Sequence, residues 1–216
     1  MRYELLVFDW DGTLIDSAGA IVACMQEACR DLKLPIPDRN RASHVIGLGL
    51  HEALAYAIPG LPESEYHRVV EHYRRHFLAL DSDIALFPGA KDMLAGLKGR
   101  GHRLAIATGK SRAGLDRALD RTGLQAFFST SRTADQCASK PAPDMLHELM
   151  EELGVDRMRT LMIGDTIHDL QMAARTGVSA VAVSHGAHPR RDVVALEPLA
   201  CAENIQELTQ WLGRNA

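Results

Sequence analysis

Asp9 and Asp11, separated by one residue, follow the first apolar run of the chain, and more groups suited to handling anions come later: Thr108-Gly109, Lys140, Asp165 and Asp169. If Asp9, Asp11, Asp165 and Asp169 share one site, their charges conflict. At an effective dielectric of about 20, two like charges ~4 Å apart repel by about 4 kcal/mol. Such a cluster needs a cation. Oxygen donors without a histidine or cysteine pattern point to Mg²⁺, and Lys140 adds a further positive charge. A cation, a lysine, a threonine hydroxyl and the amides of helix starts together hold an oxyanion, and phosphate fits best. Each residue also has a plainer reading. Asp-Gly is a common turn signal, Asp165 is placed to cap a helix, and Lys140 lies between Ser139 and Pro141 as a loop lysine would.

Positioning these groups requires elements that end where they stand. Leu5–Phe8 is a short continuous apolar run of the kind that forms a strand buried on both faces. Similar runs recur at Leu104–Ala107, Thr160–Ile163 and Val178–Val183, with a weaker one at Ala126–Phe128. Helical patterns lie between them, at Ala90–Arg100, Ser111–Thr122 (ending at Gly123) and Pro143–Leu153 (ending at Gly154). Strand alternating with helix implies a parallel sheet covered on both faces. The candidate residues then fall at the carboxyl ends of strands, where open α/β sheets bind ligands.

Between Asp16 and Phe87 the rhythm breaks, because no β-like run appears there. Ile21, Met25, Ala28 and Leu32 share one helical face, and Tyr66, Val69, Val70, Tyr73 and Phe77 share another within Pro62–Leu80. We expect an α/β core of residues 1–15 and 88–216, a Rossmann-like parallel sheet with its helices, and a small all-helical unit of residues 16–87 inserted after the first strand. Linkers are expected near Ile15–Ser17 and Asp83–Pro88, and Glu203–Leu212 reads as a closing surface helix.

Bulk properties narrow the function. The 216 residues are 46% hydrophobic and 24% charged, a globular composition. A formal charge of −4 supplies no excess cation for a nucleic-acid backbone. The Leu5–Phe8 run is far shorter than the roughly 20 residues of a membrane span and lacks the flanks of a signal peptide. Cys24, Cys29, Cys137 and Cys201 have no metal-binding spacing. These features predict a cytoplasmic protein without nucleic-acid or membrane partners; a monomer is the default.

The motifs Asp9-Trp10-Asp11-Gly12-Thr13-Leu14, Thr108-Gly109, Lys140-Pro141 and Gly164-Asp165-Thr166-Ile167-His168-Asp169, in this order, resemble those of the haloacid-dehalogenase superfamily. The similarity is strongest to its phosphoglycolate phosphatase-like branch, whose helical cap follows the first strand. The resemblance covers essentially the whole chain. It implies a phosphatase in which Asp9 is the nucleophile that forms an aspartyl-phosphate, and Asp11 is the general acid and base. It implies that Thr108, Gly109 and Lys140 hold the phosphoryl group. Mg²⁺ would be held by Asp9, the backbone carbonyl of Asp11 and Asp165, with Asp169 orienting a metal-bound water or Lys140. The substrate would be a small phosphorylated metabolite. An aspartate at position 11 speaks against a dehalogenase, which needs no acid for an alcohol leaving group. A phosphomutase shares the Asp9/Asp11 pair, and a non-catalytic phosphate-sensing module predicts a broken one.

The glycines of Ile46-Gly47-Leu48-Gly49-Leu50 are expected to bring cap amides to the cleft, with Gly47 touching substrate. His185 and His188 read as solvated loop histidines, the roles of His168 and Lys110 stay open, and Arg74-Arg75 and Arg190-Arg191 read as solvated pairs.

Overall fold

A computed structural model describes residues 2–216. Six strands form one parallel sheet: β1 (Leu5–Phe8), β2 (Arg103–Thr108), β3 (Thr130–Thr133), β4 (Thr160–Gly164), β5 (Ser179–Val183) and β6 (Cys201–Ala202), in the order β3-β2-β1-β4-β5-β6. β1 is central. Its Phe8 lies beside Ile106 of β2 and Ile163 of β4. The chain runs outward from β1 to β3, then returns to β4 on the other side of β1, so the strand order reverses between β1 and β4. A crevice at the carboxyl ends of the strands follows from that reversal.

Alternate residues of the strands face opposite layers. Leu6, Phe8, Leu104, Ile106, Leu161 and Ile163 pack with α5 (Ala90–Gly99), α6 (Arg112–Thr122) and α10 (Ile205–Asn215). Leu5, Val7, Ala105, Ala107 and Met162 pack with α7 (Asp144–Leu153) and α8 (Ile167–Thr176). The short α9 (Arg190–Val194) covers β5 through Val193. Gly123, Gly154 and Gly177 end α6, α7 and α8 in the left-handed conformation, which glycine adopts without a Cβ penalty.

The inserted segment is helical: α1 (Ala18–Asp31), α2 (Arg39–His44), α3 (Leu50–Ala57) and α4 (Tyr66–Leu80). It has a core of its own, built on Met25, Ala28, Cys29, Val45, Leu54 and Val69. The two chain crossings to the α/β layer lie side by side. The Asp16 amide donates to the Ala85 carbonyl at 3.0 Å, and the Phe87 amide to the Leu14 carbonyl at 3.0 Å. No helix among the described residues is long and apolar enough to cross a membrane.

The strand expected at Ala126–Phe128 is instead a 3₁₀ turn over Gln125–Phe127, and the edge strand follows at Thr130–Thr133. Phe127 and Phe128 are apolar because they pack against the core beneath the turn. The strand itself is polar because one edge of it meets solvent.

Candidate active site

Asp9 leaves the carboxyl end of β1 fully buried, its amide donating to the Ile163 carbonyl of β4 at 2.9 Å. The loop that follows bends across β4 so tightly that a Cβ on Gly12, at φ +81°, would lie 2.3 Å from Asp165 Oδ2. Only glycine fits there. That bend brings Thr13 to Asp165, where its Oγ1 donates to Oδ1 at 2.7 Å. The Ala187 amide donates to the other oxygen, Oδ2, at 2.7 Å.

Lys140 is 1% exposed, with Nζ 2.8 Å from Asp9 Oδ1 and 2.7 Å from Asp169 Oδ1. Asp169 also closes the first turn of α8 in a capping box. Thr166 donates to Asp169 Oδ2 from its amide at 3.0 Å and from its hydroxyl at 2.7 Å, and the Asp169 amide donates back to Thr166 Oγ1 at 3.4 Å. One helix start therefore fixes the carboxylate that aims the lysine. Thr108, buried at the end of β2, accepts the Lys110 amide at 3.2 Å.

Asp9, Asp165 and Asp169 each present an oxygen, and these oxygens lie within 4.8 Å of one another. All three carboxylates are buried and one ammonium faces them. Burial raises the Asp9 carboxyl well above its usual range; Lys140 opposes the rise, while Asp169 and Asp165 add to it. Burial, then Asp169, pushes Asp165 up to about 7 against the pull of Ala187 and Thr13. Burial alone lowers the Lys140 pKa, but Asp169 and Asp9 outweigh it and hold the ammonium above its ordinary value. Asp9 Oδ2 is buried with neither a hydrogen bond nor an ion pair. An excess of buried carboxylate plus an unpartnered oxygen fits a hard divalent cation.

Asp11 stands apart from that cluster and faces the cleft. Its Oδ1 accepts the Ser17 hydroxyl at 2.6 Å and pairs with Lys110 Nζ at 2.9 Å. Lys110, whose role the sequence left open, lies with its ammonium 4.6 Å from the centre of the Phe77 ring on α4.

The inserted helical segment reaches the α/β layer through its glycine loop. Gly109 lies so close that a Cβ on it would stand 2.4 Å from the Leu48 carbonyl oxygen and 2.7 Å from that of Gly47. Gly47, at φ +92°, borders the cleft, whereas the Gly49 amide is spent on Ser139 Oγ. A cleft of about 620 Å³ lies between the inserted helices and the α/β layer, lined by Asp11, Gly47, Phe77, Gly109 and Lys110 among others.

The histidines depart from expectation. His188 is 4% exposed rather than solvated; its Nδ1 accepts the Ile167 amide at 3.1 Å and its Nε2 donates to the His44 carbonyl at 3.1 Å. His168 Nε2 donates to the same carbonyl at 2.7 Å. Burial lowers the pKa of His188 and takes that of His168 down to about 4. His185 is partly buried too, stacked edge-on against Phe87 with centroids 4.2 Å apart. No local sequence signal marks these contacts, since His44 lies on the cap and its partners on the core.

A parallel α/β sheet with an inserted helical segment carries a buried acidic cluster at its strand ends. Residues 6–183 match the family described as haloacid dehalogenase-like hydrolase, and the chain belongs to it. It is 36% identical over 211 residues to a probable phosphatase IndB of Dickeya dadantii (strain 3937), across 94% of this chain and 91% of that one. A tyrosine-protein kinase PtkA of Mycobacterium tuberculosis (strain ATCC 25618 / H37Rv) is 33% identical over 217 residues, covering 97% and 72%. A phosphoglycolate phosphatase of Rhodospirillum rubrum is 30% identical over 223 residues, covering 97% and 91%. Among solved structures, a hydrolase from Pseudomonas syringae superposes with a TM-score of 0.90 at 25% identity, over 98% of each chain. The family and the phosphatase-named relatives together support phosphatase activity.

Proposed function

We propose that this chain is a Mg²⁺-dependent phosphatase that releases phosphate from a small organic monoester through an aspartyl-phosphate on Asp9. The observation that carries the reading is the state of Asp9, fully buried at a strand end with Oδ1 on Lys140 and Oδ2 without a partner. A carboxylate held in this way is positioned to attack rather than to stabilise the fold. Lys140, aimed by Asp169, holds the phosphoryl oxygens beside it with Thr108 and the Gly109 amide. Asp11, on the cleft side, gives a proton to the departing alcohol and then takes one from the water that opens the acyl-phosphate.

Asp9, Asp165 and the Asp11 carbonyl would hold Mg²⁺, with Asp169 acting through Lys140. Bound there, the ion neutralises the crowded carboxylates and the phosphoryl oxygens. Residues 16–87 act as a lid that excludes water, hinged where the chain crosses at 15/16 and 87/88. The paired crossings support that division. Phosphoglycolate, named in three relatives, is the reference ester for the test, and the cytoplasm is the compartment that the composition favours.

The test is phosphate release from a panel of monoesters with Mg²⁺, with EDTA, and in Asp9→Asn. Metal-dependent release that disappears in Asp9→Asn is the expected result. Release that persists in that variant would overturn the mechanism. Conserved total ester phosphate with an isomerised product would assign a mutase instead.

A further inference from the structure

We propose that the leaving group is an alcohol with an apolar, ring-sized body rather than a small polar acid, and that Phe77 and Leu78 on α4 select it. The inference rests on the phosphatase reading and concerns only what lies beyond the phosphorus.

Asp11 and Lys110 line the cleft and Asp9 does not, so on the phosphatase reading what fills it is the part of the ester attached to the departing oxygen. At about 620 Å³ it is within the range of small-molecule sites and far larger than a two-carbon acid requires. Its cap wall carries Ile21, Met25, Tyr73, Phe77 and Leu78. Phe77 is 9% exposed and Leu78 is 50% exposed, so one lies deep in the wall and the other at its rim.

Two of the polar groups that line the cleft are already engaged. Lys110 pairs with Asp11 and lies over Phe77, and the Gly49 amide is taken by Ser139. The Tyr73 hydroxyl is held neutral, chiefly by burial and then by the Asp11 charge. A carboxylate placed next to the phosphate, as in phosphoglycolate, would find its nearest cation in Lys110, which is already held between Asp11 and the Phe77 ring. Arg74 and Arg117 line the cleft too, but both are exposed, and Arg117 lies 3.5 Å from Asp81. The geometry therefore disfavours an anion at the second carbon and favours apolar surface there.

The experiment compares kcat/KM for phosphate release by the full chain with Mg²⁺ from ethyl phosphate, phosphoglycolate, glycerol 3-phosphate and 2-phenylethyl phosphate. All four release alkyl alcohols, so differences among them report the cleft more than leaving-group acidity. Burial of a ring predicts a preference for the phenyl ester over the ethyl ester of roughly tenfold or more. Phe77→Ala and the rim variant Leu78→Asp should each shrink that ratio by about threefold or more; the second guards against a packing defect in the first. A preference for phosphoglycolate or glycerol 3-phosphate, or an unchanged ratio in both variants, overturns the proposal. Absence of release from every ester by folded protein strikes instead at the phosphatase reading, and the proposal falls with it.

Discussion

Lys140 is the residue on which the site's charge balance turns. It is the one ammonium among three buried carboxylates, touching two of them at 2.8 and 2.7 Å. Removing one partner of a buried ion pair leaves charge without compensation, at a cost of about 3–5 kcal/mol. Lys140→Met should therefore lower stability by about that amount at neutral pH without metal, measured by urea unfolding. Its phosphate release should fall by 10² or more, as for loss of a charge-stabilising donor. A stable, active variant would mean that Lys140 is a packing lysine. Sequence placed Lys140 in the site only through the order of four motifs. The plain reading of Ser139-Lys140-Pro141 was a surface loop. Its burial goes with its contacts to Asp9 and Asp169, residues far from it in sequence, which single-residue propensities do not encode. Lys110 was less legible, because its two contacts, Asp11 and Phe77, join the core to the cap.

Elements were legible in proportion to their local periodicity. β1, β2, β4 and β5 are continuous apolar runs because both faces of the sheet are covered, and the helices carried start and stop signals at Ser111, Gly123 and Gly154. β3 escaped because its residues Thr130–Thr133 are polar at the edge, and β6 because it is only two residues long. The contact of α2 with α8 escaped as well, since it is built from histidines of three separate segments. His44 supplies a carbonyl, and His168 and His188 donate to it. This contact makes a pH prediction. His168 titrates near 4 when folded, below its usual value, because burial disfavours its charged form. A depressed histidine pKa means that the unfolded chain binds more protons, so the stability it contributes is present above about 6.5 and lost as pH falls toward 4. Between these limits stability of the wild type should drop by of the order of 2–3 kcal/mol from this group. In His168→Gln that part of the slope should vanish. Equal slopes in the two proteins, read by urea unfolding from pH 4 to 7, would show that His168 does not titrate as a buried histidine.

At the scale of the whole molecule, two hydrophobic units meet over a centre that is short of positive charge. The inserted helices have a core around Met25 and Leu54, the sheet core around Phe8 and Ile163 also takes in their Cys24 and Phe77, and neither core includes the acidic cluster. The metal-free protein is therefore expected to fold while its carboxylates remain strained by proximity, with Asp9 and Asp165 both raised by burial and by their acidic neighbours. Any ligand that binds only the native state adds RT ln(1 + [L]/Kd), about 2.7 kcal/mol at a hundredfold excess over Kd. For a chain of this length that corresponds to a rise in Tm of about 5–10 °C. Mg²⁺ should produce this rise in the wild type, and EDTA should reverse it. Asp165→Asn sharpens the test because it acts in opposite directions on the two states. Without metal it relieves repulsion in the cluster, so its Tm should equal or exceed that of the metal-free wild type. With Mg²⁺ present it has lost a ligand, and most of the increment should be gone. If the variant gains the full increment, Asp165 does not hold the cation, and the excess of buried negative charge around it must be met by protonation instead.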